Sequence, residues 1–204
     1  MISRIKGNLI VISGPSGSGK GTICQGLHLE ETDLRLSVSA TSRKPRDSEE
    51  NGREYYFLSR EQFETMIAEE QFLEWAQVYG NYYGTPKKPV LDLLAKGIDV
   101  ILEIDVQGAL QVKDSYPEGV LIFLAPPSRA ELARRLKNRG SESEEDIACR
   151  LQWASQELAQ MSKYDFMVFN DDFGQALREI KAIITAQKCR TGLFDSGQFL
   201  EHYA

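Results

Sequence analysis

The segment Gly14-Pro15-Ser16-Gly17-Ser18-Gly19-Lys20-Gly21-Thr22 follows directly on the apolar run Leu9-Ile10-Val11-Ile12-Ser13. A buried strand ending in a glycine-rich turn that feeds a helix at a lysine is the context a phosphate-binding loop requires. The glycines let successive backbone N–H groups turn inward around phosphate oxygens. The helix beginning near Lys20 adds the positive end of its dipole, and the Lys20 ammonium reaches the β- and γ-phosphates. The motif therefore predicts an α/β chain that binds a nucleoside triphosphate.

The usual pattern has Ser or Thr directly after the lysine, where the hydroxyl binds Mg2+. Here that position is Gly21, with Thr22 next. Either Thr22 supplies the oxygen or water fills that ligand position.

The rest of the chain fits such a fold. Val100–Ile104, Val120–Leu124 and Phe166–Phe169 read as three further buried strands, each followed by text with helical apolar spacing. Ser128, after Pro126-Pro127, is placed to cap one of these helices. Nearly all-apolar strands alternating with helices predict a parallel sheet covered on both faces. From about Ser37 to Pro89 the rhythm breaks into short alternating pieces with turn signals at Asn51-Gly52 and Gly80-Asn81, which predicts a small, mostly antiparallel insertion. Asn138 to Ala148 is polar and rich in Glu and Ser, the composition of a mobile connection. Cys24, on the helix after the loop, reads as a buried structural thiol, and Tyr82, Trp75 and Trp153 read as packing residues.

Composition narrows the partners. Thirty acidic against 24 basic residues give a net charge of −6, which argues against a general nucleic-acid or anionic-membrane binder. Two histidines and three scattered cysteines leave too few ligands for a zinc site and no disulfide framework. No apolar run approaches the ~20 residues of a membrane helix. The expectation is a cytoplasmic chain.

A second polar cluster runs Ser37-Val38-Ser39-Ala40-Thr41-Ser42-Arg43-Lys44-Pro45-Arg46 and continues through Asn51-Gly52-Arg53-Glu54-Tyr55. Arg43 and Arg46, three apart around a proline, make either a rigid fork for a phosphate or a solvated basic turn. Further blocks follow in order: Phe72-Leu73-Glu74-Trp75-Ala76, Gly80-Asn81-Tyr82-Tyr83-Gly84-Thr85, Glu103-Ile104-Asp105-Val106-Gln107-Gly108, Pro126-Pro127-Ser128, Arg139-Gly140 and Val168-Phe169-Asn170-Asp171-Asp172. With the phosphate loop, these blocks make the chain resemble the guanylate kinases, of the nucleoside monophosphate kinase group, from about Asn8 to Gln187.

The resemblance implies a P-loop NTPase-type parallel sheet flanked by helices, with a small mixed or antiparallel GMP-binding insertion and a helical lid. It implies one domain over 1–190, with a core of 1–36, 90–126 and 158–190, a GMP-binding region at 37–89 and a lid region at 127–157. A tail at 191–204 has no assigned role. The implied reaction is ATP + GMP to ADP + GDP, with Mg2+ accompanying ATP and dGMP as a further acceptor. Gly14 to Thr22, Arg135 and Asn170 would bind ATP. Arg43, Arg46, Tyr55 and Tyr83 would hold the GMP phosphate, while Ser39, Glu74, Thr85 and Glu103 would face the base, with Asp105 beside them. Many family members have Asp at position 103, and some have Lys where this chain has Cys149. Lys20, Arg43, Arg139 and Arg150 would act on the transferring phosphoryl group. Thr22 and Asp105, directly or through water, would hold the metal.

The chemistry agrees with the base assignment. Guanine presents N1–H and N2–H2 donors beside the O6 acceptor, so an acidic pocket with a hydroxyl suits it and leaves adenine's N1 unpaired. The acceptor phosphate is already ionised at pH 7, so no general base is needed; alignment and charge neutralisation carry the reaction. Two other readings stay open on sequence alone. One is a non-catalytic interaction module of the same fold. The other is a P-loop kinase for AMP or a phosphorylated sugar.

Overall fold

The structure, a computed structural model, describes residues 4–30, 33–78, 80–138 and 144–203. In chain order its elements are β1 (Leu9–Ser13), α1 (Lys20–Glu30), β2 (Leu34–Leu36), β3 (Ser39–Thr41), β4 (Tyr55–Phe57), α2 (Arg60–Ala68), β5 (Phe72–Val78), β6 (Asn81–Pro86) and α3 (Lys87–Leu94). There follow β7 (Asp99–Glu103), α4 (Val106–Ser115), β8 (Val120–Ala125), α5 (Arg129–Lys137), α6 (Glu144–Leu158), β9 (Phe166–Phe169), α7 (Phe173–Lys188) and α8 (Ser196–Tyr203).

Five strands form a parallel sheet in the order β2-β7-β1-β8-β9. Successive side chains of a strand point to opposite faces, so a strand buried on both must be apolar throughout. β1 shows this directly. Ile10 and Ile12 join Ile23, Cys24 and Leu27 of α1 and Leu177, Ile180 and Ile184 of α7 on one face. Leu9 and Val11 meet Val90 and Leu94 of α3 and Ala109 and Val112 of α4 on the other. The thiol of Cys24 is fully buried in the first cluster, and that burial pushes its pKa up, as its reading as a structural residue requires.

The reading of Phe166–Phe169 as a buried strand needs correction. β9 is the edge of the sheet; only Val168 is buried, and Phe166, Met167 and Phe169 are exposed. An apolar run states that a strand exists but not how many neighbours cover it. Three further helices, α2, α3 and α8, and the core strand β2 escaped the pattern reading. β2 has three residues, α2 nine and α3 eight, all short for a periodicity argument. α3 runs across the boundary expected at Pro89.

The insertion is a separate four-stranded sheet, β4-β3-β6-β5. β3 pairs parallel with β4 and antiparallel with β6, and β6 pairs antiparallel with β5. One face closes over Phe63 of α2, which stacks between Phe72 and Tyr82 at centroid distances of 4.3 and 5.2 Å. α2 begins in a capping box at Ser59 and Gln62. The small sheet is fastened to α4 through β5: Gln111 exchanges two hydrogen bonds with the Trp75 backbone, and the Ser115 hydroxyl donates to the Leu73 carbonyl at 2.9 Å. Trp75 and Tyr82 pack edge to face, but Trp153 lies exposed on α6 and packs into no core cluster.

At the N-terminal end of the large sheet, fully buried Asp99 pairs with Arg4 at 2.7 Å and accepts from the Asn8 backbone. The C-terminal segment returns to this end: the Ile5 amide donates to the Leu193 carbonyl, and Leu193 is buried. The tail therefore braces the end opposite the phosphate loop.

Candidate active site

The phosphate loop joins the C-terminal end of β1 to the first turn of α1. Gly17 and Gly19 have φ of +89° and +98°, a region L side chains rarely adopt. A Cβ on Gly17 would stand 2.9 Å from Leu132 of α5, and one on Gly19 would strike the Asn170 side-chain nitrogen. Glycine is required there both by the turn and by what packs over it.

Three other segments hold the loop. The Asn170 side chain donates to the Ser18 carbonyl at 2.8 Å. Arg135 donates to the same carbonyl at 3.4 Å and to the Asn170 carbonyl at 2.8 Å. Arg150 of α6 donates to the Ser16 hydroxyl at 3.0 Å. Asn170 and Arg135 were expected to bind ATP; here Asn170 donates to the loop backbone, and Arg135 to the loop backbone and to Asn170. α5 and α6 pack on each other through Leu132, Leu136, Ile147 and Ala154. Arg139, and with it part of the expected mobile connection, lies outside the described residues.

Lys20 folds back on the loop and donates to the Gly14 and Pro15 carbonyls at 2.6 and 3.2 Å. Burial lowers its pKa, opposed by the carboxylates of Glu157, Glu103 and Asp105. Glu157 was missed from the sequence. It lies seven residues, two turns, beyond Arg150 on α6, so the helix presents both toward the loop. That i, i+7 relation was the available signal.

The small sheet forms the far wall of a cavity of about 260 Å3, lined by Ser39, Tyr55, Glu74, Tyr83, Glu103 and Asp105 among others. Glu74 is its most constrained group. The Glu74 side chain is buried, and its Oε1 accepts from the Thr85 hydroxyl at 2.6 Å. Burial pushes the carboxyl pKa up to about 7, with Thr85 pulling it down and Asp105 pushing it up. Thr85 itself is wholly buried, so it meets the cavity only through Glu74. Asp105 caps α4, accepting from the Gly108 amide at 2.8 Å. Glu103 and Thr22 are both solvent-accessible. The walls around the Glu103 carboxyl still raise its pKa, with Lys20 opposing.

The arginine fork is not assembled. Arg43 forms a two-pronged pair with Glu49 at 2.9 and 3.0 Å and lies 5.7 Å over the Tyr55 and Phe57 rings. The Arg46 backbone amide donates to the same carboxylate at 2.8 Å, while its side chain is exposed. A carboxylate has the paired oxygens to which a guanidinium fork donates, so Glu49 takes the partner role a phosphate would take. Tyr55 and Tyr83 meet edge to face at 6.1 Å beside Arg43.

The oxygen donors near the loop suit a hard cation carried in on phosphates. Among the described residues no group of three His, Cys, Asp or Glu is arranged to hold a metal alone. Mg2+ bound to nucleotide needs only one or two protein oxygens and keeps several waters, so the residues present fit it.

Residues 6–187 match the family model described as guanylate kinase. A guanylate kinase of Caldanaerobacter subterraneus subsp. tengcongensis is 58% identical over 190 residues, covering 93% of this chain and 92% of the relative. One from Carboxydothermus hydrogenoformans is 54% identical over 185 residues, covering 91% of each. The crystal structure of guanylate kinase from Anaplasma phagocytophilum superposes with a TM-score of 0.76 at 32% identity, over 98% of this chain and 95% of that one.

Proposed function

The chain belongs to the guanylate kinase family, and from that premise we propose how its residues divide the work. The enzyme transfers the γ-phosphoryl group of ATP to GMP and releases ADP and GDP. A GMP phosphate oxygen attacks the γ-phosphorus as the bond to the ADP oxygen breaks; no proton must be removed first.

Loop residues Gly14 to Thr22 wrap the ATP phosphates, and Lys20 exchanges its carbonyl partners for them. Arg135 and Asn170 hold the loop in shape at the adenosine end. Arg43 leaves Glu49 and, with Arg46, Tyr55 and Tyr83, grips the GMP phosphate. Arg139 and Arg150 neutralise the transferring group from the lid region 127–157. Mg2+, when bound, shields the β- and γ-phosphate charges, with Thr22 and Asp105 as its direct or water-mediated holders. Guanine is read in the region 37–89 by Glu74, Ser39 and, through Glu74, Thr85; dGMP is a further acceptor in this reading. The core regions 1–36, 90–126 and 158–190 carry the loop. Cytoplasmic location and independence from nucleic acid belong to the same reading; among the described residues no helix is long and apolar enough to cross a membrane.

The carrying observation is Glu74, a buried carboxylate that accepts from the Thr85 hydroxyl and lines a base-sized cavity. Such a group is costly unless a ligand supplies donors, and guanine N1–H and N2–H2 do so. Coupled ADP release with GMP, dGMP, IMP and AMP tests it. Turnover with GMP well above IMP, which lacks the 2-amino group, is expected; AMP turnover equal to that of GMP overturns the assignment.

A further inference from the structure

A sheet edge presents main-chain N–H and C=O groups that no strand takes up, and it recruits another strand unless something covers it. Three of the four edges of the two sheets are covered by a side chain. On β2, Arg35 donates to the Leu34 carbonyl at 3.0 Å. On β4, the Asn51 side chain accepts from the Phe57 amide at 2.8 Å. On β5, Gln111 bonds both main-chain groups of Trp75 at 3.1 Å. The fourth edge is β9. Among the described residues no side chain bonds to the main chain of Phe166–Phe169.

The pairing with β8 fixes which groups are open. The Asn170 amide donates to the Ala125 carbonyl at 2.8 Å, so by alternation Phe166 and Val168 turn their main-chain groups to β8, and Met167 and Phe169 turn theirs outward. The side chains at this edge are apolar and exposed: Phe166, Met167 and Phe169, the last 55% accessible. Edge strands of monomers ordinarily carry a charge or a proline at such positions.

We propose that β9 pairs antiparallel with β9 of a second copy of this chain, about a twofold axis through Met167, joining the two parallel sheets into one. Charge sets this register. With Met167 facing its own copy, residues equally far before and after it stand opposite, so Lys163 of each chain meets Asp171 of the other. Neither residue forms an ion pair of its own among the described residues. Moving the axis one residue on, to Val168, sets Asp165 opposite Asp171, and like charges directly opposite are destabilising. A twofold pairing uses up the free edge on both chains, so the assembly closes at two copies. The contact is one short strand from each chain, which makes the dimer weak.

Sedimentation equilibrium of the full chain without nucleotide, from about 5 μM to about 1 mM, tests this independently of the kinase reading. A reversible monomer–dimer equilibrium that weakens with added salt is expected. Met167→Lys sets two ammonium groups together at the axis and should raise the dimer Kd at least about tenfold. The position is exposed, and an unchanged thermal melt of the dilute variant shows that its fold holds. Lys163→Glu and Asp171→Lys should each raise the Kd at least about fivefold, and the two together should bring it back to within about twofold of the original, because opposite charges then face each other again. A chain that stays monomeric up to about 1 mM, a dimer indifferent to Met167→Lys, or a double variant no better than the single ones overturns the proposal.

Discussion

The phosphate loop and the proposed guanine pocket meet at Glu103, which lines the pocket and stands over Gly21, but they are built from different material. The loop is main chain: glycines with positive φ, carbonyls held by Asn170 and Arg135, and a lysine parked on the loop's own oxygens. The pocket is side chain: Glu74 against Thr85, Arg43 against Glu49, and two tyrosines edge to face. Backbone donors are fixed by the local turn and bind any triphosphate. Side-chain groups must be brought together by a second sheet, and they can tell one base from another. In the proposed division, ATP charge is handled by geometry close in sequence, and the GMP phosphate and base by geometry distant in sequence.

This division predicts which property each substitution moves. Lys20→Ala should lower kcat by about a thousandfold, from lost transition-state neutralisation, while GMP affinity holds. A calorimetric GMP titration beside the rate measurement checks this, and weakened GMP binding would break the separation of loop and pocket. Next, Arg43→Gln should raise the KM for GMP by about 30- to 100-fold, the range of a lost charge-assisted hydrogen bond, with the KM for ATP unchanged.

Glu74 gives a sharper test because its carboxyl titrates near neutrality. Guanine's donors need the ionised form, and the pKa is raised to about 7, so GMP binding should weaken as pH falls below about 7, by at most about tenfold per unit. Calorimetry in buffers of different ionisation enthalpy should detect proton release on GMP binding at pH 6.5, roughly the midrange of this titration. The stability of the free protein has the opposite sign. A folded pKa above the ordinary value of 4.5 contributes stability below that value, lost as pH rises through about 7. Glu74→Gln should remove both pH dependences; a flat GMP profile in the unsubstituted protein would falsify the role given to this residue. The smallest effect is expected at Asn170→Ala, where one lost hydrogen bond to Ser18 should weaken ATP binding by about fivefold and leave GMP untouched.

The same division explains what could be read in advance. The loop was legible because its residues are contiguous and each has a local reason. Strand order was not, which is why β9 read as buried although it is the sheet edge. Glu49 gave no signal among many surface acids, and only the fold of the Ser42–Tyr55 segment places it on Arg43. Thr85 was expected to face the base, and the structure buries it behind Glu74.

By itself the sequence determined that a glycine loop and lysine follow a buried strand in a parallel α/β sheet, and it supplied the residues that the proposed guanine site uses. Those properties depend on neighbours along the chain, where periodicity and turn chemistry act. Tertiary structure alone decided which carboxylate meets which partner: Glu49 with Arg43, Glu74 with Thr85, Glu103 in the space above Gly21. Charges interact by distance through space, and β7 brings Glu103 beside a loop that lies far from it in the chain.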